Sequence, residues 1–309
     1  MRKLLLGILL LTFFACVEDR DVFVQSNLGG PQQALKDLVQ SPSFARILEP
    51  NQAHTITTDY NAIISLPAEV LLGSESNEIQ FIEMNSPLDN ILNNVEHRTS
   101  EGILHSVYSF YIDINSLNDS SIDQFQKPVI VKIPSIKYNT QPILGIGSFE
   151  SSRLNWDYNQ FRFVNTINYG IWDAESEDGS LYQENGYIIE INQSGWYNLA
   201  IQQIGEISYN NLCVEFSDSR FNSDNTISLA TANDLNYNSF LYANNSGDGT
   251  YCASALPFLL SQSYSLVAVA VIDDQKYFGK QTVYVSQNEV VLDMVPITDS
   301  DLLDELNQL

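Results

Sequence analysis

Hydrophobic and polar residues alternate with a period of two through much of this chain, most clearly in three stretches. Tyr108, Phe110, Ile112 and Ile114 share one face, while Ser109, Tyr111 and Asp113 take the other. Val129, Val131 and Ile133 repeat the pattern with Lys132 outward and Pro134 closing it, and Tyr187, Ile189 and Ile191 do so with Glu190 outward. That period belongs to half-buried strands. The breaks between such stretches are rich in Asn, Ser and Asp, so the pattern predicts stacked antiparallel sheets. Residues 266–272 are apolar throughout and predict a strand covered on both faces; Asp273-Asp274-Gln275 then turns the chain into Tyr277-Phe278 and residues 282–285, a hairpin. Helical spacing marks both ends. Ala34, Leu35, Leu38 and Val39 follow Pro31 and stop at Ser41-Pro42. Leu302, Leu303, Leu306 and Leu309 lie on one face behind Thr298 and Asp301, spaced for a capping box, and predict a helix docked on the neighbouring sheet. Residues 4–14 form an unbroken apolar run behind Arg2 and Lys3. It is about half the ~20 residues a membrane helix needs, and reads as the apolar region of a signal peptide.

Charge narrows the function classes. The chain carries 38 Asp and Glu against 14 Lys and Arg, a net charge of −24, and the leader holds two of those cations. Such a surface repels phosphate backbones, so nucleic acid is excluded as a partner. With 44% hydrophobic residues the chain has ample material for packed cores.

Ala15-Cys16, at the end of the apolar run, resembles the lipobox of bacterial lipoproteins. The resemblance implies cleavage before Cys16, acylation of its thiol and membrane attachment through that lipid. Glu18-Asp19-Arg20-Asp21 resembles the acidic export tag of Bacteroidota lipoproteins, which implies an outer-membrane, cell-surface location; a solvated tether is the plainer reading. Three further stretches resemble a ZU5-like β-sandwich: Ile63-Ile64-Ser65-Leu66-Pro67-Ala68, then Leu88-Asp89-Asn90-Ile91 with Thr99-x-x-Gly102-Ile103-Leu104, then Ile130-x-x-Ile133-Pro134 with Asn155-Trp156. Gly195-Trp196-Tyr197-Asn198 resembles the opening of a transthyretin-like or carboxypeptidase-regulatory-like sandwich, although Leu199-Ala200 stand where acidic and cysteine residues are usual. The expected fold is therefore all-β, two antiparallel β-sandwich domains in tandem with short N- and C-terminal helices. Its expected divisions are a lipoprotein signal peptide (1–15), a tether with a short helix (16–50), a ZU5-like sandwich (51–155), an aromatic-rich connector (156–194), a second sandwich (195–293) and an amphipathic helix (294–309).

Cys213 and Cys252 each fall on the more polar face of a strand-like segment, Cys213 with Glu215 and Cys252 with Thr250 and Ser254. Core filling explains neither well, and an exported compartment favours oxidation, so a Cys213–Cys252 disulfide competes with two separate half-buried thiols. Aromatic residues crowd the connector, among them Trp156, Tyr158, Tyr169 and Trp172. If exposed, they bind a glycan or anchor a protein; if buried, they fill a junction.

The search for chemistry finds little. His54, His97 and His105 lie in unrelated contexts, with no zinc or nucleophile motif around them, and no metal or cofactor is expected. His105-Ser106 lacks the Phe of the His-Phe-Ser sequence at which some ZU5 domains cleave themselves. Residues 244–249 hold oxygen ligands and glycines but not the spaced acids of an EF-hand, and read as a turn. The expectation is a non-catalytic, lipid-anchored binding or scaffold protein whose partners are the membrane and an envelope protein or surface glycan. The alternative is a secreted glycosidase-like hydrolase with an unrecognised carboxylate pair.

Overall fold

The computed structural model describes residues 31–309 apart from 40, 50, 69, 71–76, 94, 100–101, 117–123, 151–152, 158–163, 176–178, 203–206, 223, 233–235, 244–249, 261 and 285. Cys16, residues 18–21, Tyr158 and the turn at 244–249 lie outside the described residues. The rest is an all-β molecule of antiparallel sheets with three short helices.

Two sheets face one another in the first half. One is ordered β1 (Ser43–Leu48), β4 (Asn77–Met84), β6 (Gly102–Ser116), β12 (Gly195–Gln202), β8 (Ile143–Glu150) and β9 (Arg153–Asp157), with the two-residue β5 (Arg98–Thr99) beside β6. The other is ordered β10 (Val164–Glu175), β11 (Leu181–Gln193), β7 (Gln124–Pro134), β3 (Ile63–Leu66) and β2 (His54–Thr57). The alternating faces read from sequence meet between them: Phe110, Ile112 and Ile114 from one sheet, Val129, Val131, Ile133, Ile189 and Ile191 from the other, all buried in one core.

The second half is a single 8-stranded sheet: β19 (Glu289–Leu292), β13 (Ile207–Phe216), β16 (Tyr251–Leu259), β15 (Tyr237–Ala243), β14 (Thr226–Ala232), β17 (Tyr264–Ile272), β18 (Gln275–Val283) and β20 (Val295–Pro296). It curls so that Leu212, Val214, Phe258 and Val290 from one end share a core with Ala230, Leu266, Ala268 and Val283 from the other. One pair breaks the antiparallel rule, since β19 runs parallel to β13. As the all-apolar run of residues 266–272 demands, β17 is buried on both faces. Leu266 and Ala268 enter the inner core; Val267 and Val269 pack outward against helices. Asp273 and Asp274 both adopt positive φ, 50° and 62°, the type I′ geometry of a two-residue hairpin turn.

The outer helical layer comes from three parts of the chain. α1 (Pro31–Leu38), α2 (Pro87–Leu92) and α3 (Asp299–Asn307) supply Leu35, Leu88, Ile91, Leu92, Leu302 and Leu306, which pack with Leu309 on Leu229, Phe240, Val267 and Val269. Thr298 caps α3 by accepting from the Asp301 backbone N–H at 3.2 Å, and Lys276 on β18 pairs with Asp299 at 2.8 Å. Ser86 caps α2 in a reciprocal box with Asp89.

Three expectations are corrected. Gly195, at φ 152°, does not open a second sandwich: the β12 that follows it is hydrogen-bonded between β6 and β8, inside the first half. Residues 164–193 are likewise no connector, because β10 and β11 extend the sheet of β7. Short local motifs carry no information about which distant strand becomes the neighbour, and that pairing decides the division. The stretch read as a tether contains β1, which pairs with β4 through Phe44 and Leu48. The halves also interlock. α2 belongs by sequence to the first half but lies on the second, and Ile103 at the start of β6 is buried in the second core.

Candidate functional site

Of the four aromatic residues expected to bind a ligand, Trp156 lies on one sheet and Tyr169 and Trp172 on the other. Directly opposed residues Ile82, Tyr111, Trp196, Gly147 and Trp156 form one row across β4, β6, β12, β8 and β9. On that outer face Trp156 packs with Met84, Val95 and Trp196, stacked under the His97 ring at 6.4 Å, and is only 7% exposed. Trp172, on the other sheet, is also 7% exposed, with Lys132 Nζ 5.9 Å from its ring centre. Tyr169 leans edge-on against Tyr187, and its hydroxyl donates to Asn185 Oδ1 at 2.6 Å. Both Trp156 and Trp172 are thus buried. Tyr158 lies outside the described residues.

What the same stretch does present is a two-stranded arm. β10 and β11 pair in unbroken register from Ile167↔Ile189 to Glu175↔Leu181, with Gly170 opposite Gly186. At Gly186 the chain passes so close to β7 that a Cβ there would meet Ile133 O at 2.0 Å; only glycine fits. β7 ends opposite Gly186, at Pro134, and one further hydrogen bond, Ser135 N–H to Asn185 O, closes the ladder. The hairpin therefore projects beyond its neighbour. On that projecting part Ile171 is 67% exposed, Leu181 76% and Tyr182 41%. Ile171 and Leu181 share one face of the hairpin; Tyr182 lies on the other, opposite Ala174, which like Trp172 is buried. Period-two reading gives only residues 187–191 of β11, and neither β10 nor the projecting part. The exposure could not be found that way, because it depends on where β7 stops.

The buried titratable groups lie elsewhere, and Glu83, Asp89 and Glu96 are already engaged. Glu83 is buried in the first half, where its carboxylate accepts from Thr58, from Tyr108 and from the Tyr60 backbone N–H. Burial pushes its pKa up, and those hydrogen bonds hold it partly back. Asp89 accepts from the Tyr60 hydroxyl at 2.7 Å, and burial followed by that carboxylate pushes Tyr60 well up. Both carboxylates thus tie α2 and the 58–62 turn to the sheet. Glu96 holds the joint between halves, accepting from Ser239 Oγ at 2.7 Å and Tyr242 Oη at 3.2 Å. Beside it the fully buried His97 has its pKa lowered to about 3, by desolvation first and then by nearby His105. His54 Nε2 lies 3.2 Å from the Glu49 carbonyl oxygen. Among the described residues no three His, Cys, Asp or Glu gather as a metal would require, and no helix is long and apolar enough to cross a membrane.

Cys213 and Cys252 stand directly opposite on β13 and β16, 4.1 Å apart at Cα, and are joined as a disulfide. Their faces had been legible: Leu212 and Val214 point into the core while both cysteines stay half-exposed. A shallow space of about 460 Å³ lies between the 273–274 turn and the start of α3, lined by Asp274, Lys276, Asp299 and Asp301. No family model, no curated protein and no solved structure matches the chain.

Proposed function

We propose that this chain is a non-catalytic binding or scaffold protein of the cell envelope, held at the outer membrane by a lipid on Cys16, which engages another envelope protein through the β10–β11 arm. The observation that carries the partner reading is the exposure of Ile171, Leu181 and Tyr182 on a hairpin that projects past its own sheet. Apolar side chains placed this way are anchors for a protein surface. The burial of Trp156 and Trp172 weighs against a glycan, since neither ring offers an open face for a sugar to stack on. The anchor reading rests on the resemblance of Ala15-Cys16 to a lipobox, and surface display on that of residues 18–21 to an export tag.

Three experiments test the proposal. Labelling cells with a radioactive fatty acid should mark the wild type and not Cys16→Ser; equal label removes the anchor. Cross-linking in intact envelopes, then affinity measurement with the captured partner, should show losses above ~1 kcal/mol for Leu181→Ala and Tyr182→Ala, as for hot-spot side chains. Undiminished affinity in both would reject the arm. Reproducible turnover in a hydrolase panel, abolished by substituting one carboxylate pair, would replace the binding reading with an enzyme.

A further inference from the structure

The arm's backbone edge is as unusual as its side chains. Sheet edges in soluble proteins are kept from pairing by brevity, by charged side chains (Lys above all), by Pro, by bulges or by a covering segment. The other terminal strands here follow that rule. β1 has six residues with Arg46 inside, and β9 has five with Arg153. β2 and β19 have four each, and β20 two with Pro296. β10 is the longest of them, twelve residues, VNTINYGIWDAE; it has no Lys, Arg or Pro, and its only charges are the acids Asp173 and Glu175 at one end. Its single register shift lies before Ile167, so residues 167–175 run straight. It ends the order of its sheet, and no described strand pairs on its far side.

We propose that the free edge of β10 accepts an extended, basic segment of the partner protein as an added antiparallel strand; this rests on the arm being the binding surface. Charge selects the occupant. β10 and β11 together carry Asp173, Glu175, Glu184 and Glu190 and no cation. Lys132 and Lys137 lie over the rings of Trp172 and Tyr169, 5.9 and 5.7 Å from their centres. Ile171, Asp173 and Glu175 fall at period two on one face of β10, and all three are exposed. An added strand therefore meets, in order, one apolar position and two acidic ones. It is complementary when it carries an apolar residue opposite Ile171 and Lys or Arg opposite Asp173 and Glu175. A second copy of this chain brings its own net charge of −24 to the same edge, which opposes self-pairing.

The test uses the purified full chain and a blocked probe peptide, Lys-Thr-Lys-Thr-Val-Thr-Val. Binding is read by titration and by amide hydrogen exchange. Saturable binding that protects amides within residues 167–175 is expected, together with loss of binding when the probe's edge-facing amides are N-methylated. Replacing the probe's Lys by Glu, or the chain's Asp173→Lys with Glu175→Lys, should weaken binding by about ten-fold as two cross-strand pairs become repulsive. Those positions are exposed, so unchanged thermal unfolding of the variant confirms an intact fold. Absence of saturable binding, or binding that survives N-methylation, overturns strand addition. So does protection of β10 on concentrating the chain alone, which assigns the edge to a second copy. If the envelope partner loses affinity with Leu181→Ala but not with the charge reversals, strand addition fails while the binding function stands.

Discussion

Between the two facing sheets of the first half the core is a ladder of rings. Phe44, Phe81, Phe110 and Tyr197 stack at 5.3–5.5 Å from β1 through β4 and β6 to β12. In the curled sheet of the second half the inner face holds small residues, Ala230, Ala232, Ala253 and Ala268, and a covalent bond ties β13 to β16. One region gains from large apolar areas pressed between separate sheets. The other brings two ends of a single sheet close together, mixes those alanines with Tyr237, Phe258 and Tyr264 packed edge-on, and adds a crosslink and an outer coat of helices. A β-rich chain can thus close a core by facing or by curling, and each way has its own weak point.

The largest expected effect is at the ladder. Phe110→Ala opens a hole between two stacked rings and should cost about 3–5 kcal/mol in urea unfolding. An effect below ~1 kcal/mol would mean the rings do not carry the first core. Next comes the crosslink, which closes a loop 39 residues long. Replacing both Cys213 and Cys252 by Ser should lower stability by roughly 3–4 kcal/mol on the chain-entropy account. Thiol titration of the unfolded, unreduced wild type should find neither cysteine free.

Much of this architecture was legible in the sequence. The inward faces of β6, β7 and β11, both terminal helices and the 273–274 turn follow from periodicity and turn chemistry, because those signals are local. The neighbours of β12 were not legible. Gly195-Trp196-Tyr197-Asn198 looks the same whether it opens one sheet or lies in the middle of another. Of the candidate site, the sequence singled out Trp and Tyr by type, whereas the exposure of Ile171 and Leu181 depends on the place where β7 stops.

A smaller effect tests the joint between the halves. An unfolded imidazole takes up a proton below about pH 6.5, whereas buried His97 resists until about 3. Its contribution is therefore complete above pH 6.5 and is lost as pH falls through that window, by about 1.4 kcal/mol per unit. Glu83, with its raised pKa, works in the opposite sense: its contribution is present in acid and lost as pH rises. Because wild type and His97→Phe share Glu83, their difference isolates the imidazole. Phe keeps the stack on Trp156, and its advantage over wild type should grow by about 2 kcal/mol between pH 6.5 and 5. A constant difference would place His97 in contact with water.

The smallest effect belongs to the arm. Leu181→Ser lies outside both cores and should change unfolding by no more than ~0.5 kcal/mol. A larger loss would mean the arm is part of the fold rather than an appendage.

The excursion of α2 onto the far sheet sets a timetable for biosynthesis. Asn90 donates to Asn236 Oδ1 at 2.9 Å across 146 residues of chain, and Leu88, Ile91 and Leu92 rest on strands made later still. At ~5–20 residues per second a ribosome needs roughly 7–30 s to cover that interval. Throughout it, the early half carries an apolar helix with nowhere to dock. Nascent chains should therefore stay protease-sensitive around residues 87–103 until the last strands and α3 emerge, and such a chain is a natural client for a holding chaperone.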